Sequence, residues 1–126
     1  MEPSEATAQR DLDGIVAAAS DYVESWLDGD PDRMASCLHP DLAKRARVDP
    51  GADSLALEEA PFEHMLEASR DAKPYDRSYE VEVLDIFDGI ATAKVLSAPF
   101  MDYLHLARFG DRWLIVNVLY EERTDP

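Results

Sequence analysis

The segment from Phe100 to Tyr120 constrains the fold of this chain more than any other part of it. Two runs rich in β-branched and aromatic residues meet at the pair Gly110-Asp111. A glycine in the first position is what a tight two-residue turn between antiparallel strands requires. The sequence therefore predicts a long β-hairpin in which Phe109 pairs with Arg112.

Side chains alternate along a strand, so this register assigns each residue of the hairpin to one of two faces. The first face is predicted to line a pocket, because Tyr103, His105 and Tyr120 each combine an apolar body with a polar tip. The same face carries Met101, Ala107, Phe109, Leu114, Val116 and Val118. The opposite face carries Asp102, Leu104, Leu106, Arg108, Trp113, Ile115, Asn117 and Leu119. Both faces are too apolar to remain in water, so each is expected to be covered.

Length and charge narrow the class of protein. A chain of 126 residues is predicted to form a single domain, residues 1–126, with one sizeable core. Its formal net charge of −15 argues against nucleic acid and anionic membranes as partners. No apolar run approaches the roughly 20 residues of a membrane span.

The cysteine content and the N-terminus suggest a cellular compartment. Cys37 is the only cysteine, so no disulfide can form within the chain, and we expect it to be a small core residue. The first residues, Met1–Glu5, are acidic and polar, unlike a secretory signal. A cytoplasmic protein with a flexible tail over residues 1–8 is predicted.

Three helices are predicted upstream of the hairpin. The first is a long amphipathic helix that ends at Gly29. The second starts at Asp30-Pro31, where the aspartate suits the N-cap and the proline suits the first helical position. The third starts near Pro61 and ends before Lys73-Pro74. Residues 41–48 form a possible short edge strand.

Two more strands, Tyr79–Phe87 and Ile90–Leu96, are predicted to flank Asp88-Gly89, a pair typical of a type I′ turn. They extend the hairpin into a four-strand meander. Helices followed by a curled antiparallel sheet give an α+β fold in which the helices cover one face of the sheet.

This order of elements resembles the nuclear transport factor 2-like superfamily. Two stretches are similar to its putative lumazine-binding family, namely Gly29–Arg45 with the motif Leu38-His39-Pro40-Asp41, and the hairpin motifs Asp102–Leu106 and Arg112–Asn117. The resemblance implies a cone-shaped sheet that wraps around the long first helix and encloses a cavity open at one end. The superfamily also includes ketosteroid isomerases, polyketide cyclases and plain binding modules, so the fold does not select a chemistry.

In a cone of this kind, we expect the first hairpin face to look into the cavity beneath the first helix. The predicted ligand-binding residues are Tyr22, Trp26, Met101, Tyr103, His105, Val118 and Tyr120. The predicted catalytic residues are His105 as a general base and Tyr103 as an acid, because imidazole titrates near neutral pH. If the register is one residue out, Asp102 enters the cavity and takes the role of the base. The alternative for these residues is that they are core.

Neither a metal nor a cofactor is expected. His39, Asp41 and His64 are possible metal ligands, but they do not form a convergent set of three or four. No glycine-rich phosphate loop is present in the sequence.

Three functions remain open from the sequence. The first is a small-molecule-binding protein, the second is an acid/base isomerase, cyclase or dehydratase acting on a compact apolar substrate, and the third is an interaction module. A homodimer packed sheet to sheet is also predicted, since no helix is left to cover the second hairpin face. The residues expected at this interface are Leu104, Leu106, Trp113, Ile115 and Leu119.

Overall fold

The computed structural model describes residues 4–123, which form three helices and six strands. The helices are α1 (Glu5–Asp28), α2 (Pro31–Cys37) and α3 (Phe62–Ala68). The strands are β1 (Leu38–Arg47), β2 (Leu57–Glu59), β3 (Tyr79–Phe87), β4 (Ile90–Ser97), β5 (Phe100–Phe109) and β6 (Arg112–Glu122). The predicted α+β class and the curled sheet are confirmed, with two strands more than the predicted meander.

Helix α1 begins and ends with recognisable capping residues. Ser4 precedes it, and the Ser4 hydroxyl accepts a hydrogen bond from the Thr7 amide. The helix ends at Gly29, whose φ of 72° is left-handed. Residues 5–8, predicted to belong to a flexible tail, are helical, and residues 1–3 of that tail lie outside the described residues. No helix within residues 4–123 has the length and apolarity needed to cross a bilayer.

The region after α1 differs most from expectation. Asp30 caps α2 as predicted, and its carboxylate accepts a hydrogen bond from the Arg33 amide. The weak edge strand predicted over residues 41–48 is a ten-residue strand, β1, which pairs in parallel with β6. The edge position belongs to the short strand β2. Helix α3 ends at Ala68, several residues before Lys73.

The six strands form one sheet in the order β2-β1-β6-β5-β4-β3. All neighbours are antiparallel except β1 and β6. In the turn between β3 and β4, the only residue with a positive φ is Asp88, at 50°. A type I′ turn needs two such residues, so the predicted turn type is wrong.

The hairpin of β5 and β6 contains a β-bulge that the sequence analysis did not anticipate. The strands pair from the turn as expected, beginning with Phe109 and Arg112, and Gly110 has a φ of 70°. The register then shifts between Leu106 and His105, and Val116 of β6 has no partner in β5. Beyond this bulge, the alternation of β6 is displaced by one residue relative to β5.

The face of the hairpin that packs under α1 is the one predicted to be a dimer surface. Four of the five predicted interface residues belong to the core, namely Leu104, Leu106, Trp113 and Ile115. Gly14 of α1 lies so close to Trp113 that an added Cβ would be 2.6 Å from Trp113 Cδ1. Of the predicted set, Leu119 is exposed. This prediction was wrong because the largest aliphatic side chains gain most from burial beneath the helix.

Candidate functional site

A cavity of about 140 Å³ lies between α1, α3 and the inner face of the sheet. Helix α1 and helix α3 form one side, while β1, β5 and β6 contribute the side chains opposite. The lining residues are Tyr22, Val23, Trp26, Lys44, Ala60, His64, Met65, Ala68, Ser97, Phe100, Asp102 and Tyr120. Most of this lining is apolar, and three of its polar residues, Tyr22, Lys44 and Asp102, are linked by hydrogen bonds.

The polar side of the cavity is a chain of three groups from three different elements. Lys44 of β1 donates a hydrogen bond from Nζ to the hydroxyl of Tyr22 on α1, at 2.6 Å. The Tyr22 hydroxyl in turn donates to Oδ1 of Asp102 on β5, at 3.2 Å. Tyr22 is 4% exposed and Asp102 is 5% exposed, whereas Lys44 is half-buried, so the bond between the phenol and the carboxylate is the part of this network that lies out of water. We call these three residues the polar triad.

Burial shifts the protonation of all three groups away from their charged forms. Desolvation raises the pKa of Asp102, although nearby Lys44 and the hydrogen bond from Tyr22 oppose the rise. Desolvation lowers the pKa of Lys44, against the attraction of Asp102. The pKa of Tyr22 is raised well above its usual range by burial and by the Asp102 carboxylate. Each group therefore takes its neutral form more readily than it would in water.

Aromatic rings surround the amine of the polar triad and continue towards α3. Lys44 Nζ lies 5.0 Å from the ring centre of Tyr22 and 4.7 Å from that of Tyr120. Phe100 packs edge-on against Tyr120 and against Trp26. Tyr75 stacks on Trp26 with its ring centre 5.7 Å away. Flat aromatic walls beside a few convergent polar groups are typical of ligand pockets.

The hydroxyl of Tyr120 is held away from the polar triad. It donates a hydrogen bond to the Glu58 carboxylate of β2, at 2.9 Å. Burial, followed by this contact, raises the pKa of Tyr120 to about 12. Tyr120 therefore presents its ring to the cavity as a neutral phenol.

The structure brings together only part of the predicted site. Tyr22, Trp26 and Tyr120 line the cavity, whereas Val118 lies in the core near it. Met101, Tyr103 and His105 lie on the outer face of β5, where Tyr103 is 49% exposed and Asn117 contacts the His105 ring. Their predicted place in the cavity was wrong.

These three residues lie outside the cavity because the opposite face of β5 points inward. The apolar residues Leu104 and Leu106 take the inner face, and Asp102 shares their side of the strand. Because β6 is bulged, Tyr120 still points inward opposite Asp102. The structure therefore has the alternative arrangement, in which Asp102 enters the cavity.

Lys44 is the site residue that sequence analysis missed. It lies in the strand that the sequence identified least clearly. The apolar residues two positions before and after it were a sign that its side chain points inward. Leu42 and Ala46, two residues away on either side, are 5% and 4% exposed, so alternation places Lys44 on the buried face. A lysine between two buried apolar residues of a strand is unusual because its charge must be removed from water.

The remaining candidates do not form a second site. Cys37 is buried as expected, and desolvation raises the pKa of its thiol to about 12, far from a nucleophilic thiolate. His64 lines the cavity, whereas His39 accepts a hydrogen bond from the Asp41 amide. Within residues 4–123 no three histidine, cysteine or carboxylate side chains converge as metal ligands.

The pattern of one protein family matches almost the whole chain. The family described as putative lumazine-binding matches residues 10–121. The chain belongs to this family. No curated protein matches the chain.

Solved structures share the fold of this lumazine-binding-type chain, and two of them are named nuclear transport factor 2-like proteins. Such a protein of unknown function from Silicibacter pomeroyi DSS-3 has a TM-score of 0.75 and 15% identity, covering 92% of this chain and 98% of that one. Another from Methylobacillus flagellatus KT has a TM-score of 0.70 and 22% identity, covering 90% and 93%. A ketosteroid isomerase-like protein from Erwinia carotovora atroseptica SCRI1043 has a TM-score of 0.65 and 15% identity, covering 91% and 97%. At these identities the likeness shows the fold alone.

The polar triad supplies this member of the lumazine-binding family with one acceptor and one donor at the cavity wall. Asp102 receives its hydrogen bond on Oδ1, and no residue within 4–123 donates to its other oxygen. The Lys44 ammonium has three protons and gives one of them to Tyr22. A ligand can therefore donate to Asp102 and accept from Lys44 at the same time.

A double substitution tests whether the buried charges cost stability. The pKa of Asp102 is raised in the fold, so its stabilising contribution is present at low pH and is lost as the pH rises through the folded pKa. The pKa of Lys44 is lowered, so its contribution is present at high pH and is lost as the pH falls through the folded pKa. The charged form of each group is therefore the one that the fold disfavours. We expect Lys44→Met/Asp102→Asn to be as stable as the native chain or up to about 4 kcal/mol more stable at pH 7.

Denaturant unfolding at pH 7 measures this difference. The matched control is Lys94→Met/Glu82→Gln, which removes an exposed ion pair of 3.2 Å and should change the free energy of unfolding by less than about 0.5 kcal/mol. Each single substitution in the triad should be less stable than the double, because it leaves one buried charge without its partner. A double variant less stable than both singles would contradict a net cost of these charges.

Proposed function

We propose that the chain binds a compact, flat small molecule in the cavity, with the polar edge of the ligand on Asp102 and Lys44. The observation that carries this proposal is the polar triad itself. It is a buried carboxylate and the amine of a half-buried lysine joined through one phenol, at the wall of an aromatic cavity. An interaction module has no need for such a costly group inside an otherwise apolar space.

The cavity limits the size and shape of the ligand. Its volume of about 140 Å³ is close to the 150 Å³ or so in which an engineered apolar cavity holds benzene. A one-ring or two-ring planar molecule fits this description. Phe100 stands edge-on to Trp26 and Tyr120, so such a molecule would place its face against one of these rings and its edge against another. The family name makes lumazine, a flat two-ring heterocycle with amide-like edges, a suitable first probe.

Titration calorimetry with lumazine and with compact one-ring amides tests the binding proposal. We expect Tyr22→Phe to weaken binding by about 1 to 3 kcal/mol, because it removes the hydroxyl that positions both Asp102 and Lys44. His105→Ala is the matched control, since His105 lies on the outer face of the sheet and should leave the affinity unchanged. If His105→Ala weakens binding as much as Tyr22→Phe, the ligand is not in this cavity.

The second candidate function is acid/base catalysis, and the state of Asp102 favours it. A carboxylate whose pKa is raised by burial is a stronger base than one in water, and its second oxygen is unoccupied by residues 4–123. Lys44 and Tyr22 would stabilise the oxygen of a carbonyl as it gains negative charge. This pairing suits removal of a proton next to a carbonyl, as in an isomerase or a dehydratase.

Proton exchange at carbon provides the test of catalysis. A compact cyclic ketone incubated with the protein in deuterium oxide should lose its α-proton signal faster than in buffer. Asp102→Asn should reduce the protein-catalysed rate by roughly 10² to 10⁴. The exposed turn residue Asp111 supplies the control, and Asp111→Asn should retain the full rate. Undiminished exchange in Asp102→Asn would exclude this residue as the base.

A homodimer is also part of the proposal, through a different surface from the one expected. The outer face of the sheet exposes Tyr103 and Leu119 at 49% and 56%, and Phe87 and Ile90 at 77% and 59%. These apolar side chains lie at two places on one face of the sheet, on either side of Thr92, His105 and Asn117, and exposed apolar groups of this kind are typical of a subunit contact. A cytoplasmic location is proposed with it, supported by the single buried cysteine, and the net charge of −15 opposes binding to nucleic acid.

Light scattering at micromolar concentration tests the assembly. We expect a dimer mass, and a shift to monomer in Leu119→Lys, because a charge would have to be buried at the contact. Asp32→Lys at an exposed position of helix α2 serves as the control for surface charge alone. A native chain that scatters as a monomer would reject the dimer.

A further inference from the structure

The three lysines of the chain occupy three different environments. Lys94 forms an ion pair with Glu82 at 3.2 Å. Lys73 donates to three backbone carbonyls, including that of Ala68 at 2.5 Å. Both amines therefore have oxygen acceptors, one from a carboxylate and the others from backbone carbonyls.

Lys44 has neither kind of partner. Its amine donates to the Tyr22 hydroxyl at 2.6 Å, and within residues 4–123 it forms no ion pair with a carboxylate. It is also the lysine that lines the cavity described above. The nearest carboxylate, Asp102, is joined to it only through the Tyr22 hydroxyl. A lysine amine in an aromatic cavity, without a carboxylate in direct contact, is an environment in which lysines act as nucleophiles towards carbonyl groups.

We propose that Lys44 captures aldehydes or reactive ketones in the cavity as an imine on its Nζ atom. The proposal rests on the proposed binding function, and it names the ligand class as compact aromatic carbonyl compounds. The rings of Tyr22 and Tyr120 lie 5.0 Å and 4.7 Å from Nζ, so an aryl group attached to the carbonyl carbon has aromatic surfaces beside it.

The reaction needs no oxidant, reductant or further reagent. The neutral amine of Lys44 attacks the carbonyl carbon, and a C–N bond forms while the carbonyl oxygen takes up a proton to give a carbinolamine. The nitrogen then loses its second proton, the hydroxyl leaves as water, and a C=N bond remains. The overall change is one aldehyde and one amine converted into one imine and one water.

The neighbours of Lys44 supply the proton transfers. Tyr22 contacts both Nζ and Asp102, so a proton can pass from the amine side to the carboxylate through one hydroxyl. Burial lowers the pKa of Lys44, which increases the share of neutral amine, and raises the pKa of Asp102, which lets the carboxyl group protonate the leaving oxygen. His64 lines the same cavity as a further titratable group, whereas Glu58 is engaged by Tyr120.

Reductive trapping measures this reactivity on the full chain. The protein is incubated at pH 7 with benzaldehyde and sodium cyanoborohydride, which converts an imine into a stable benzylamine. Peptide mapping by mass spectrometry then gives the rate of labelling at each lysine. We expect Lys44 to be labelled several times faster than Lys94, because burial increases the share of neutral amine at Lys44 and the cavity holds the aldehyde beside it.

Two variants and one further ligand make the result decisive. Lys44→Arg, which keeps the charge but cannot form an imine, should lose the fast label, and Lys94→Met should retain it. Benzamide has the same ring but forms no imine, so a shift of the Trp26 indole signal in NMR spectra reports binding alone. Equal labelling of the three lysines overturns the proposal. If benzamide still shifts the Trp26 signal in that case, the binding function stands, and if it does not, both proposals fail.

Discussion

The β-bulge at Val116 determines which side chains of the last strand face helix α1 and the cavity. Without it, strict alternation from Ile115 would carry Tyr120 to the outer face of the sheet. The extra residue allows Ile115 to pack in the core and Tyr120 to face the cavity in the same strand. The position of Tyr120 in turn gives Lys44 one of its two aromatic neighbours.

The cavity combines an apolar wall with a polar network that would be costly if it were incomplete. The Tyr22 hydroxyl uses both of its hydrogen-bonding roles, since it accepts from Lys44 and donates to Asp102. No buried side-chain nitrogen or oxygen within residues 4–123 is left without a partner. A network whose fully buried atoms are all paired can be kept in a small core, whereas unpaired buried atoms would destabilise it. The second Asp102 oxygen receives no donor from the described residues and is left for a ligand.

The three proposed activities depend on the same triad in different ways. Binding requires that the donors and acceptors of the triad point towards the ligand, and acid/base chemistry requires that Asp102 gains and loses a proton. Imine formation requires a neutral amine at Lys44. Burial favours all three, because it disfavours charge on each group and strengthens hydrogen bonds to a ligand. The site is therefore sensitive to changes that admit water, even where these leave the triad in place.

The sequence by itself determined the class of fold, the hairpin at Gly110-Asp111 and the two aromatic residues of α1, Tyr22 and Trp26. These features follow from local patterns, namely turn chemistry and the periods of helices and strands. The tertiary structure alone decided that Asp102 and not His105 faces the cavity. It also placed Lys44 there, by pairing β1 in parallel with β6 across more than 70 residues of sequence. The alternation of side chains along a strand defines two faces but does not determine which of them is the inner face. The inner face is the one that buries more apolar surface against α1.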